Sequence, residues 1–91
     1  MLEAVLSDPA RFYRDQLDAQ NREEVDRLIS LIELDPGIDG IHKVVIRVED
    51  IRFTGYNNGT WQIAYRIIDS ATVAILAITR IGGTSGPNLR L

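Results

Sequence analysis

The chain has 91 residues, enough for one domain and too few for two separate cores. At 45% hydrophobic and 25% charged it is composed like a folded protein, not a disordered one. It has no cysteine, which excludes a disulfide framework, a thiolate metal site and a thiol nucleophile, and its longest apolar run, residues 71–78, is strand-sized and interrupted by Thr72. No basic region followed by an apolar stretch opens the chain, so a cytoplasmic protein without a signal peptide or membrane partner is expected. The net charge of −3 is unevenly spread: residues 1–42 carry ten acids against four arginines, and residues 43–91 carry three acids against six bases. Such a chain can present a basic face despite its acidic total, although a pI near 5.0 argues against strong nonspecific nucleic-acid binding.

Residues 2–6 alternate weakly and predict a short first strand. Asp8 before Pro9 is a helix-start signal, because a carboxylate accepts a first-turn N–H and proline loses nothing at the first helical position. Ala10, Tyr13 and Leu17 then share one side of a helix expected to end near Ala19. Asn21 followed by Glu24 has the form of a capping box for a second helix. Val25, Leu28, Ile29 and Ile32 form its apolar stripe, with Leu31 and Leu34 widening it, and Asp35-Pro36-Gly37 ends it. The two helices form a hairpin with one shared apolar side.

Residues 43–53 are β-rich with interleaved charges, either one bent strand or two. Residues 55–59 are a turn, since Asn58-Gly59 readily takes the positive φ that hairpins need. In residues 61–68, Trp61, Ile63, Tyr65 and Ile67 face one way and Gln62, Ala64, Arg66 and Ile68 the other; the first face is the expected core. A polar turn at Asp69 and Ser70 leads into a last strand ending at Arg80. Residues 82–91, rich in glycine and small polar residues, are expected to form a flexible tail beyond a single 1–81 domain. Gly82, Gly83 and Gly86 resemble a phosphate loop only in composition, lacking its lysine and its strand-to-helix setting. The predicted fold class is α+β: a short N-terminal strand and a helix hairpin packed on one face of a small twisted antiparallel sheet.

Chemistry-bearing residues are few. His42 is the one histidine, and a closed zinc site needs several nitrogen or sulfur ligands, so His42 reads as a surface residue and no metal or cofactor is expected. Ser7, Ser30, Ser70 and Ser85 have no base at a recognisable spacing. The arginines remain. Arg66 on the outward face of its strand and Arg80 at the end of the next, with Arg47 or Arg52 from the adjoining strand, can converge on one solvent-facing hollow suited to phosphate. The alternative is that Arg66 pairs with Glu49, Asp50 or Asp69 in an exposed contact worth under ~1 kcal/mol.

The order of these segments resembles the RelE/ParE superfamily of type II toxin–antitoxin toxins. The run SDPARFYRDQL is similar to the family's opening turn and first helix, and REEVDRLISLIELDP to its second helix and the Asp-Pro after it. NGTWQIAYRIID is similar to its aromatic-rich central strand, and VAILAITR to its last strand, which ends in arginine. Together they span residues 1–81. The resemblance implies a toxin that binds a cognate antitoxin and a cellular target, the ribosome with its mRNA or DNA gyrase. In members that cut mRNA on the ribosome, basic residues on the sheet hold the scissile phosphate. By that resemblance the catalytic candidates are Arg80, Arg52 and Gln62, and the RNA-binding candidates Arg47, Arg66 and Lys43. The fit is partial: Gln62 stands where the family has arginine, and Ile81-Gly82-Gly83 follows Arg80 where a proton-transferring residue belongs. The expectation is therefore a toxin acting mainly through protein–protein binding; the alternatives are a ribosome-dependent endoribonuclease with a reduced catalytic set and a non-toxic family-shaped binding domain.

Overall fold

The computed structural model describes residues 2–48 and 50–81, without the side chains of residues 48 and 51; the expected tail, residues 82–91, lies outside the described residues. In chain order the elements are β1 (Glu3–Leu6), α1 (Asp8–Gln16), α2 (Ala19–Leu34), β2 (Lys43–Val48), β3 (Ile51–Asn57), β4 (Trp61–Ile67) and β5 (Thr72–Arg80). The strands form one five-stranded sheet in the order β1-β5-β4-β3-β2, with β1 parallel to β5 and every other pair antiparallel. Both helices lie on one face, as the α+β expectation requires. Residues 43–57 resolve into two antiparallel strands, with Arg47 directly opposite Arg52.

Local chemistry sets the helix ends. Ser7, not Asp8, caps α1: its Oγ accepts from the Ala10 N–H at 3.2 Å and donates to the Leu76 carbonyl at 2.9 Å, tying the helix start to β5. α1 stops at Gln16 rather than near Ala19, because Asp18 caps α2, accepting from the Asn21 N–H at 2.8 Å. Asn21 therefore lies inside the helix, and the expected capping box is not the cap. Asp18, one turn earlier, takes that role and frees the Asn21 side chain. Across the helix hairpin, Arg14 donates from Nε and Nη2 to both Asp26 carboxylate oxygens at 2.7 Å, a bidentate pair that raises the already high guanidinium pKa. Asp35 follows α2, as expected from the Asp-Pro-Gly run.

The core gathers Val25, Leu28, Ile29 and Ile32 of α2 over Trp61, Ile63, Tyr65, Val73, Ile75 and Ile78, with Ala10 and Tyr56 at its borders. Leu31 and Leu34 do not widen the buried stripe: they are 37% and 64% exposed, because a helix on one sheet face buries little more than a third of its circumference. Ile67 is also half-exposed, since β4 runs past the helices there. Along β5 the inward residues are Val73, Ile75 and then Ile78, an alternation broken by one extra residue. The register jumps from Tyr65 opposite Ile75 to Ala64 opposite Ala77, which leaves Leu76 as a β-bulge. From Leu76 onward, the parity of β5 is reversed.

Behind α2, the Tyr65 hydroxyl donates to the Pro36 carbonyl at 2.7 Å and pins the loop that leads to β2. In the same loop Asp39 accepts the backbone N–H groups of Ile41, Lys43 and His42, which hold its carboxyl below the ordinary value. Burial, aided by the fields of Asp39 and Asp35, pushes the Tyr65 phenol up to about 12. Because the folded form holds this proton more tightly than the unfolded chain, its contribution is complete below about pH 10 and is lost as pH rises toward about 12. Tyr65→Phe is expected to lower stability by about 1 kcal/mol in urea denaturation at pH 7 and to flatten the decline between pH 10 and 12. An unchanged alkaline decline in the variant would assign that decline to other groups.

Candidate functional site

The inward set Trp61, Ile63 and Tyr65 fixes where every candidate residue on β4 and its neighbours points. Gln62, Ala64 and Arg66 face the side that the helices leave open. There Gln62 lies opposite Asn57 on one flank and Thr79 on the other, and its Oε1 accepts from Asn57 Nδ2 at 3.3 Å. The floor beside it is small and apolar: Ala64 is flanked by Gly55 and Ala77. Ile46 covers Gly55 so closely that an added Cβ would lie 3.0 Å from its Cδ1. Among the described residues Arg66 is the cation that this face carries.

Arg80 is on the other side. The Leu76 bulge places it opposite Trp61, on the helix-covered face, where its guanidinium carbon sits 5.4 Å from the indole centroid. Its Nη1 donates to Asn21 Oδ1 at 3.4 Å, so the freed Asn21 side chain receives it. The indole itself is fully buried, and its Nε1 has no hydrogen-bond partner among the described residues.

Arg52 is far from both. It lies five residues along β3 from Asn57, the partner of Gln62, a separation of about 17 Å at the strand rise. The structure therefore does not bring Arg80, Arg52 and Gln62 together: two faces and the length of a strand divide them. Arg52 and Arg66 do line one hollow, although the alternation from Thr54 and Tyr65 sends their side chains to opposite faces of the sheet. The described β3–β4 ladder ends at Thr54 opposite Tyr65, and beyond that pair a hollow of about 190 Å³ opens. Arg52, Phe53, Thr54, Tyr65, Arg66 and Ile67 line it. Arg47, directly opposite Arg52, completes a cationic group at this end of the sheet. Lys43 is at the other end of β2, opposite Tyr56, and His42 next to it stacks on the Tyr56 ring at 5.5 Å, tilted by 31°.

Arg47, Arg52 and Arg66 have no ion pair or hydrogen bond among the described residues, so the expected pairing of Arg66 with Asp50 or Asp69 is not formed, and Glu49, the third expected partner, lies outside the described residues. Asp69 instead accepts the Ala71 N–H at 2.8 Å within its turn. No group of three or more His, Asp or Glu side chains among the described residues is placed to hold a metal ion. Likewise, no helix there is long and apolar enough to cross a membrane. Sequence reasoning missed the Asn21–Arg80–Trp61 cluster; its signal was Leu76-Ala77 interrupting the alternation of β5.

No protein-family model matches the chain, and no curated protein matches it. Solved structures do. A chain of the toxin–antitoxin complex RelBE2 from Mycobacterium tuberculosis superposes with a TM-score of 0.70 at 21% identity, over 88% of this chain and 98% of that one. A chain of the intact E. coli RelBE toxin–antitoxin complex superposes with a TM-score of 0.61 at 12% identity, over 91% of this chain and 100% of that one. The two-layer α+β architecture is thus the RelE-like fold.

Like charges directly opposite on neighbouring strands repel. Arg52→Gln is expected to raise stability by roughly 0.2–1 kcal/mol at low salt, and the gain should shrink as added salt screens the pair. A salt-independent gain in chemical denaturation would show that repulsion from Arg47 is not its origin.

Proposed function

We propose that the chain is the toxin component of a type II toxin–antitoxin module, and that it acts mainly by binding a cognate antitoxin and a cellular target. The RelE-like fold, similar to chains crystallised in toxin–antitoxin complexes, supports the module. The separation of Gln62 from Arg80 onto opposite faces, with Arg52 about 17 Å along the strand, carries the preference for binding over cleavage. Phosphodiester cleavage by a ribose hydroxyl requires groups converging on one phosphate, to stabilise its developing charge and to move protons within about 3 Å. The open face offers Gln62 and Arg66 over an alanine floor, and no described histidine or tyrosine stands there.

One observation favours the second reading, a reduced mRNA endoribonuclease. Arg52 and Arg66 both line one hollow, and a guanidinium group turned into it would suit a phosphate. In that reading Arg47 and Lys43 would track the RNA backbone, and Arg80 would act by steadying Trp61 rather than by touching substrate.

The test is expression in a bacterial host, alone and together with the product of the neighbouring reading frame. Growth arrest on expression of the chain alone, relieved by the neighbour and accompanied by a stable complex of the two, is the expected result. Harmless expression and no complex would contradict the module and leave a RelE-shaped domain with another role.

A further inference from the structure

Past Tyr65 the sheet forks. The β3–β4 ladder runs from Asn57 opposite Gln62 to Thr54 opposite Tyr65 and stops. β2 stays paired with β3 as far as Val48 opposite Ile51, and β4 with β5 as far as Ile67 opposite Val73. The two halves of the sheet diverge there, and the hollow of about 190 Å³ lies between them. Strand alternation decides which backbone groups face it. The Asn57 N–H donates to the His42 carbonyl at 2.8 Å, so Phe53 and Gly55 bond β2 and Arg52 turns its N–H and carbonyl toward β4. The Ile68 N–H donates to the Thr72 carbonyl at 2.9 Å, so Ile67 turns its own pair toward β3. The described ladder does not join Arg52 to Ile67, and the donors and acceptors of both residues therefore border the fork.

We propose that this fork binds a small aliphatic carboxylate with a hydrogen-bond donor on its α-carbon, a branched-chain α-hydroxy or α-amino acid. The side chains of Arg52, Thr54 and Ile67 share the inward parity of Tyr65, and Ile67 is 50% exposed where β4 runs past the helices, so the hollow opens on that side. Phe53 and Arg66, of the opposite parity, bound it from the other face. The Arg52 guanidinium offers a carboxylate two donors, and Arg47 directly opposite adds to the positive field. The backbone carbonyls and the Thr54 hydroxyl take the α-donor, and Ile67 seats the aliphatic body. The volume is that of about six waters, which suits a molecule of amino-acid size and does not enclose a nucleotide. A bare phosphate fits worse, because the carbonyls of Arg52 and Ile67 would face its oxygens. A purely apolar ligand would leave these groups desolvated and unpaired.

Binding here needs neither an antitoxin nor a cellular target, so it stands or falls apart from the toxin reading. The experiment is a titration of the isotope-labelled full chain, followed by its amide resonances. The probes are L-leucine and its α-hydroxy counterpart, compared with 4-methylpentanoate, leucinamide and inorganic phosphate. Either acid should shift the Arg52 and Ile67 amides saturably, with a dissociation constant of about 1 mM, since the hollow is smaller than an ordinary ligand pocket. Which of the two binds more tightly identifies the α-donor. Loss of that donor in 4-methylpentanoate, or of the carboxylate in leucinamide, should each weaken binding about tenfold. Arg52→Gln, which is expected to fold at least as stably, should weaken both acids about tenfold, whereas Arg66→Gln on the other face should change them less than about twofold. No saturable shift with either acid at about 10 mM would overturn the proposal. So would equal binding of leucinamide, tighter binding of phosphate than of either acid, or an Arg52→Gln chain that binds as the wild type does.

Discussion

The inward burial of Trp61, Ile63 and Tyr65 on β4 is the constraint from which the rest of the molecule follows. All three are fully buried under the helices, and by area alone each aromatic ring contributes several kcal/mol at about 25 cal/mol per Å². A strand admits one alternation, so their burial forces Gln62, Ala64 and Arg66 outward and sets the register of β3 and β5. Tyr65 carries the constraint further: its hydroxyl holds the Pro36 carbonyl, and the loop from there delivers Asp39 to close the first position of β2. One inward face thus organises the core, the connection after α2 and one end of the free edge.

The bulge at Leu76 then decides what the sheet can do. Without it, the parity counted from Val73 and Ile75 would place Arg80 on the open side, next to Gln62. With it, Arg80 turns inward, lies over Trp61 and meets Asn21. The guanidinium that completes the last strand therefore helps join β5 to the start of α2. Three cations lie instead at the far end of β2, β3 and β4, where Arg52 and Arg66 line a hollow and Arg47 is opposite Arg52 beside an open strand edge. That arrangement suits recognition of an acidic surface better than chemistry at a single phosphate.

Much of the fold was legible because its signals are local and periodic. The alternation of β4, the stripe from Val25 to Ile32 and the Asn-Gly turn, with Gly59 at a φ of 91°, all act over a few residues. The capping residues were harder: Asp18 and Asn21 both suit a helix start, and the choice is made by where α1 must stop to let Arg14 reach Asp26. Leu31 and Leu34 read as core because a helical stripe does not reveal how much of it a sheet will cover. The site was the least legible part. The face of Arg80 depends on a single bulged residue, and the spacing between Arg52 and Gln62 depends on hairpin register, both of which are properties of the paired strands.

The sheet separates Arg80 from Gln62 onto opposite faces, and we propose that it therefore assembles no nuclease centre. Incubating the purified chain with mRNA-programmed translating ribosomes tests it most directly. Intact message with the wild-type chain, indistinguishable from Arg80→Ala, is the expected result. Site-specific cleavage that Arg80→Ala and Gln62→Ala each abolish, with both variants folded, would contradict it.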